Sequence, residues 1–191
     1  MMHRDAVIDI FEKTSAMLTG HFLLTSGRHS DKYFQCAMVL QHPRHCRALC
    51  RELAARFASE GVETVVGPAM GGIVMSYEVA SALEVRSLFT ERENGKMALR
   101  RGFTIAPGER VLVVEDVVTT GGSVKEVIQL IRDLGGTVVG AGVLVDRSGG
   151  GASLGVRTES LLEIPAVSYS PDQCPLCRQG IPFIKPGSRK I

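Results

Sequence analysis

Four consecutive apolar residues, Val111-Leu-Val-Val114, run directly into two acids, Glu115 and Asp116, and then into Val117-Val-Thr-Thr-Gly-Gly-Ser123. An uninterrupted apolar run of this kind suits a strand covered on both faces, which calls for a parallel sheet with helices on either side. One such helix follows at once: Val124, Val127, Ile128, Ile131 and Leu134 share a face, and Gly135-Gly136 ends the run. The loop from Thr119 to Ser123 therefore lies at a helix N-terminus. There, unpaired backbone N–H groups and the positive end of the helix dipole converge, glycines let the backbone approach an anion, and hydroxyls add donors. A phosphate monoester fits such a loop. Ser123 and Glu126 also have capping-box spacing, which is compatible with anion binding. Capping does not account for two adjacent acids at the carboxyl end of a buried strand, the edge at which open α/β sheets bind ligands.

The same order of strand, loop and helix occurs earlier. Val62 to Gly67 reads as a buried strand, Gly67-Pro-Ala-Met-Gly-Gly72 as a second Gly-rich loop, and Ile73 to Leu83 as a helix with Ile73, Val74, Tyr77 and Ala80 inward. Leu88 and Phe89 begin a further strand, and Val138 to Val145 form a last one ending in Asp146-Arg147. This alternation predicts an α/β fold with a central, mostly parallel sheet flanked by helices. The expected organisation is a single domain over 1–191, with an N-terminal segment and helices (1–60), an α/β core (61–164) and a C-terminal extension (165–191). The extension holds five of the eight prolines, which points to irregular structure folded over the body. Two Gly-rich loops after two strands suit a ligand with phosphate groups at two separate points.

At 191 residues the chain is long enough for one sizeable core, and 45% hydrophobic content with a net charge of +2 argues against disorder or a polyanion-binding surface. No apolar run approaches membrane length, and the N-terminus enters an amphipathic helix without a signal-peptide pattern, so a cytoplasmic location is the expectation. Five cysteines, an odd number, argue against a disulfide framework. Cys46 and Cys50 join Leu49, Leu53, Ala54 and Phe57 in a helical stripe opened by Pro43 and closed by Gly61. The stripe explains both thiols as core without a metal on His42, His45, Cys46 and Cys50. Cys174-Pro-Leu-Cys177 has the spacing of a zinc knuckle or a redox pair, but it supplies two ligands of four, with no second such pair and no histidine downstream of His45. A four-cysteine site shared between two subunits would complete it. The expectation is a tight turn carrying two thiols, with a redox-sensitive disulfide as the next reading.

The thirteen residues from Val111 to Ser123 resemble the phosphoribosyl pyrophosphate signature of the type I phosphoribosyltransferases. The resemblance implies that family's fold, with a hood built from the N-terminal segment and the C-terminal tail. It also implies that Thr119, Thr120, Gly121, Gly122 and Ser123 bind the 5-phosphate, that Glu115 and Asp116 face the ribose hydroxyls, and that Val117 and Val118 belong to the same phosphoribosyl pyrophosphate site. Pro68 to Gly72 is similar to the family's pyrophosphate loop, which assigns Ala69 and Met70 to the diphosphate through backbone N–H. Gly20-His-Phe-Leu-Leu-Thr-Ser-Gly-Arg-His-Ser30 with Tyr33-Phe34 resembles the hood of orotate phosphoribosyltransferases, and Val145-Asp-Arg-Ser-Gly149 matches a later element of theirs. By resemblance, Thr119, Arg147, Tyr33 and Phe34 contact orotate. A planar guanidinium suits that role, since it holds a carboxylate or ring carbonyl through paired charge-assisted hydrogen bonds.

The resemblance further implies Mg²⁺ held mainly by substrate phosphates with Asp116 nearby and no dedicated protein site. It implies a homodimer whose basic loop reaches the neighbouring subunit's site, and no nucleic-acid or membrane partner. The reaction implied is displacement at the anomeric carbon of phosphoribosyl pyrophosphate by orotate. Lys96 and Arg92 then stabilise the departing diphosphate, with Asp116 as the third catalytic residue. Two departures stand out. Thr25 occupies a position where many orotate enzymes carry lysine, and the loop Thr90-Glu-Arg-Glu-Asn-Gly-Lys-Met-Ala-Leu-Arg-Arg101 lacks the family's histidine, so Arg100 or Arg101 is an alternative to Lys96. The signature is shared with enzymes for other bases and with non-catalytic regulators. A regulator is expected to carry a basic stripe or an added nucleic-acid domain, and neither is evident in the sequence.

Overall fold

The computed structural model describes residues 2–24, 27–165 and 167–186. In chain order its helices are α1 (Arg4–Lys13), α2 (Ala37–Leu40), α3 (Pro43–Ala55), α4 (Gly71–Leu83), α5 (Gly122–Asp133) and α6 (Pro175–Arg178). The strands are β1 (Met17–Leu23), β2 (His29–Phe34), β3 (Thr64–Pro68), β4 (Arg86–Glu93), β5 (Lys96–Leu99), β6 (Arg110–Val118), β7 (Thr137–Asp146) and β8 (Thr158–Glu163).

The strands from β3 onward form one sheet in the order β5-β4-β3-β6-β7-β8, parallel except for β5, while β1 and β2 pair as a separate antiparallel hairpin. Alternation along β6 divides the core. Leu112 and Val114 join Leu49, Leu53, Met75 and Val79 of α3 and α4, whereas Val111 and Val113 join Val124, Val127, Ile128 and Ile131 of α5 on the opposite face. Each α5 side chain so buried contributes roughly 1.5–3 kcal/mol. The order of strands reverses between β3 and β6, and that switch point opens a crevice at their carboxyl ends.

Five expectations need correction. The sheet does not end at β7: Thr158-Glu-Ser-Leu-Leu-Glu163 adds a parallel strand beside it. Val74 and Tyr77 of α4 face outward, 43% and 67% exposed, and the buried face is Gly72, Met75, Ser76, Val79 and Ala80. That helix is apolar all round, so its periodicity selects no face; the close approach of Gly72 to Gly67 does. Leu134 lies beyond the end of α5 and is 43% exposed, as Gly135 turns left-handed and the Gly136 N–H caps the Ile131 carbonyl. The Ser123/Glu126 capping box does not form: the N-cap is Gly121, and Glu126 binds Arg92 instead. Finally, the basic segment expected as a loop is a β4–β5 hairpin, turned at Asn94 and Gly95, both at positive φ.

The tail folds back on the β1–β2 hairpin. His29 and Tyr169 exchange backbone hydrogen bonds, and Ile184 bridges His21 and Leu23. Cys174 is fully buried there beside His21, and Cys177 is half-buried one turn further on, both as free thiols. The histidine partners absent downstream of Cys177 come from the hairpin upstream.

Candidate active site

Both Gly-rich loops open onto the switch-point crevice. The turn after β3 doubles back so tightly that a Cβ on Gly72 would lie 2.9 Å from the Gly67 carbonyl carbon and from the Pro68 ring. A Cβ on Gly71 would stand 2.5 Å from Oδ2 of Asp116, which brings this loop and the strand-end acid into direct contact. Within the loop, the Ala69 N–H already donates to the Thr90 carbonyl at 2.8 Å. Ala69 is therefore not the amide available to a ligand; Met70, 83% exposed, and the first turn of α4 are better placed.

On the other side of the crevice a cavity of about 230 Å³ is lined by Arg92, Glu115, the run from Val117 to Val124, and Glu126. Every residue expected to bind the 5-phosphate is in that wall. Gly121 sits at φ 77°, a left-handed turn that aims the first amides of α5 at the cavity.

Glu115 and Asp116 lie within β6 itself, half-buried at its end. The Asp116 N–H donates to Glu115 Oε1 at 3.2 Å, and the Val117 N–H donates to Asp116 Oδ1 at 2.8 Å. Burial, followed by the charge of Asp116, pushes the Glu115 carboxyl up to about 8, and burial also raises Asp116. The folded state thus binds a proton on Glu115 that the unfolded chain releases near pH 4.5. The stability contributed by this proton is present below about pH 4.5 and is lost as pH rises toward about 8. Without divalent cations, Glu115→Gln should melt several degrees above the parent at pH 8 and lose most of the decline between pH 5 and 8, as thermal unfolding across that range would record.

Arg92 is fixed at the cavity rim by a paired ion contact with Glu126 at 3.0 and 3.1 Å and by donation to the Gly95 carbonyl. Arg100 pairs with Glu93 at 3.4 Å, and Arg101 with Glu91 through two 2.9 Å bonds. Lys96 opens β5 at the hairpin tip, is exposed, and has no ion-pair partner among the described residues.

Arg147 follows β7 and donates its N–H to the Val118 carbonyl, so it stands next to Thr119 at neighbouring strand ends. Arg147 is 9% exposed and its side chain lies over the Phe34 ring, with Cζ 4.9 Å from the centroid. Burial pulls the guanidinium below its ordinary value, opposed by Asp31 and Cys36. Arg147 Nε and the neighbouring Ser148 Oγ are buried with no hydrogen-bond partner among the described residues. Tyr33 points to the other face of β2, where it packs on Phe22 at 5.7 Å, so the structure brings Phe34, and not Tyr33, to Arg147. Thr25 and the hood's Ser26 lie outside the described residues.

Reading by sequence missed three neighbours: Ser148; Glu126 as the partner of Arg92; and Cys36, whose thiol burial and the nearby acids push well up. Only Ser148 had a visible signal, its place beside Arg147.

Residues 36–154, which hold both loops, the strand-end acids and Arg147, match the family of the phosphoribosyl transferase domain. The chain belongs to that family. Full-length relatives of this phosphoribosyltransferase include the orotate phosphoribosyltransferase of Pelotomaculum thermopropionicum, 70% identical over 190 residues and covering all of both chains. That of Thermotoga maritima is 57% identical over 183 residues, 96% of this chain and 98% of the other. Among solved structures, orotate phosphoribosyltransferase from Aeropyrum pernix superposes with a TM-score of 0.69 at 30% identity, covering 82% of this chain and 93% of that one. An adenine phosphoribosyltransferase from Thermoanaerobacter pseudethanolicus shares the fold at 18% identity and a TM-score of 0.62, covering 70% of this chain and 88% of the other. No helix among the described residues is long and apolar enough to cross a membrane.

Proposed function

We propose that this phosphoribosyltransferase transfers the ribose 5-phosphate group of phosphoribosyl pyrophosphate to orotate, giving orotidine 5′-monophosphate and diphosphate in pyrimidine biosynthesis. The observation that carries the choice of acceptor is Arg147, a buried guanidinium with an unpaired Nε, laid on Phe34 beside the sugar-phosphate loop. A buried cation with unspent donors stabilises a planar anion far better than a neutral base. The 70% identical relative from Pelotomaculum thermopropionicum is an orotate phosphoribosyltransferase, which supports the same acceptor.

In this reading the cavity from Val117 to Ser123 takes the 5-phosphate, Glu115 and Asp116 face the ribose hydroxyls, and Met70 with the start of α4 takes the diphosphate end. A ring nitrogen of orotate forms its bond to the anomeric carbon as the bond to diphosphate oxygen breaks, and the proton of that nitrogen is released to the diphosphate or to water. Negative charge grows on the leaving group and positive charge on the sugar. Lys96 answers the first with its unmatched charge. Arg92 contributes less, because Glu126 already offsets it.

Two carboxyls crowded at one strand end provide hard oxygen donors whose mutual repulsion a divalent cation relieves, so the residues present fit Mg²⁺. Asp116, with Glu115 beside it, would hold the ion together with substrate oxygens and water; when bound it neutralises charge on the diphosphate. Met70, Val74 and Tyr77 make an exposed apolar strip beside the diphosphate loop, which supports a homodimer with the β4–β5 hairpin reaching the neighbouring site. A cytoplasmic location goes with this metabolic role.

Gly71→Ala places a methyl against Asp116 and should raise KM for phosphoribosyl pyrophosphate about tenfold while leaving KM for orotate near the parent value. Initial-rate kinetics with each substrate varied would separate the two. The function itself is tested by incubating the protein with orotate, phosphoribosyl pyrophosphate and Mg²⁺ and assaying for orotidine 5′-monophosphate; absence of product would remove orotate as the acceptor.

A further inference from the structure

His21 and His29 of the β1–β2 hairpin and Cys174 and Cys177 of the tail bring four ligand atoms within 4.8 Å of one another. His21, His29 and Cys174 are 3%, 3% and 0% exposed, and Cys177 is half-buried. From this cluster we infer that the chain carries a structural zinc site, which pins the tail to the hood.

The hydrogen-bonding inventory of the cluster does not balance. Nδ1 of His21 lies 2.7 Å from the Ile181 carbonyl, which only accepts, so the proton sits on Nδ1 and Nε2 presents a lone pair. Onto that single lone pair converge Nδ1 of His29 at 2.7 Å and the thiols of Cys174 and Cys177 at 3.5 and 3.8 Å. One nitrogen lone pair thus faces three protonated groups in a buried place, with only the weakly accepting sulfurs beside it, Cys177 lying 3.2 Å from His29 Nδ1. A cation replacing those protons gives every atom a partner.

The distances fit a tetrahedral ion. With Zn–N of about 2.0–2.1 Å and Zn–S of about 2.3 Å, a tetrahedron has N to S edges of about 3.6 Å and an N to N edge of about 3.3 Å. The observed N to S separations are 3.5 and 3.8 Å at His21 and 3.2 Å from Cys177 to His29. The two histidines, 2.7 Å apart, must separate by about 0.6 Å, and all four ligand atoms already lie within 4.8 Å of one another. Binding moves the His29 proton to its other nitrogen and releases one proton from each thiol. Two thiolates and two imidazoles select zinc over the oxygen-seeking Mg²⁺. Outer contacts are also present: the Ile181 carbonyl orients His21, and Phe183 packs against both rings at 5.7 and 5.0 Å.

Four protein ligands leave no open position, so the ion is structural and not catalytic. It joins residues 153 positions apart in sequence. β2 runs from His29 to Phe34, so the staple also fixes the strand that carries the ring under Arg147. That last consequence rests on the proposed orotate site; the metal site does not.

The test is titration of the reduced, metal-stripped full-length protein with Zn²⁺ and with Co²⁺, read by elemental analysis and by the cobalt spectrum. One zinc per chain is expected, with thiolate-to-cobalt charge transfer and intense tetrahedral ligand-field bands, and a melting midpoint raised by about 10 °C by zinc. Cys177→Ser should lose the charge-transfer signature and the zinc, whereas the double variant His42→Ala/His45→Ala should keep both. Removal of zinc should raise KM for orotate several-fold and leave KM for phosphoribosyl pyrophosphate unchanged. The site is overturned if the reduced parent binds no stoichiometric zinc or cobalt, or if Cys177→Ser retains the thiolate spectrum. The parent titration decides even if the variant does not fold. Stoichiometric metal with an unchanged orotate KM would keep the site and sink only its link to the hood.

Discussion

Lys96→Ala is expected to lower kcat by about 10²–10³ with little change in either KM, because a charge acting mainly on the departing diphosphate is spent in the transition state. The size of the effect follows from the electrostatics of the hairpin. Arg92, Arg100 and Arg101 are each matched by a glutamate, Glu126, Glu93 and Glu91 respectively, and Lys96 is not matched among the described residues. A paired guanidinium must leave its carboxylate before it serves a phosphate, so Arg101→Ala should cost much less. Single-turnover kinetics would locate the loss in the chemical step. An unchanged kcat in Lys96→Ala would transfer the role to Arg100 or Arg101.

Arg147→Ala should reduce kcat/KM for orotate by about 10²–10³ and leave KM for phosphoribosyl pyrophosphate near the parent value, since a charge-assisted paired contact is lost in a desolvated place. Its stability should stay within a few degrees of the parent. Removal of the side chain loses the contact with Phe34 but also relieves a buried guanidinium whose Nε is unpaired. A large drop in melting temperature with a modest kinetic change would instead make Arg147 a packing residue. Arg147→Lys should rescue poorly, because an ammonium has no planar fork to match a carboxylate.

The sheet centre and the phosphate loop were legible because their signals are local. Val111 to Val114 alternate between two buried faces, and α5 repeats its apolar positions with helical period, so each element is specified by its own residues. β8 was hidden for the opposite reason: it follows the Gly-rich stretch from Gly149 to Gly155, and only Leu161 and Leu162 within it are buried, so it gains strand character by pairing with β7. On α4, Ala80 is buried as expected but Val74 and Tyr77 are not, because Gly72 packing on Gly67, a contact between backbones, orients a helix whose apolar residues do not.

Within the site, the acids, the loop and Arg147 could be located from sequence, but their mutual pairing could not. Nothing in Glu126 as a residue distinguishes a capping partner of Ser123 from a clamp on Arg92; the hairpin's position decides it. Asn94-Gly95 is a strong turn signal that the reading of Thr90 to Arg101 as a basic loop obscured. The His/Cys cluster lay furthest from view. Its halves are joined by tail-to-hairpin backbone bonds at Tyr169 and Ile184, which no local pattern announces.

The most direct test of the central claim is diphosphate release from phosphoribosyl pyrophosphate and Mg²⁺ in parallel reactions with orotate, uracil, adenine, guanine, hypoxanthine and xanthine. The buried, unspent guanidinium of Arg147 predicts turnover with orotate and none with the five bases that lack a carboxylate. Release with another base and not with orotate would contradict the assignment of the acceptor while leaving the sugar-phosphate site intact. Silence with all six, alongside retained binding of phosphoribosyl pyrophosphate, would contradict catalysis itself.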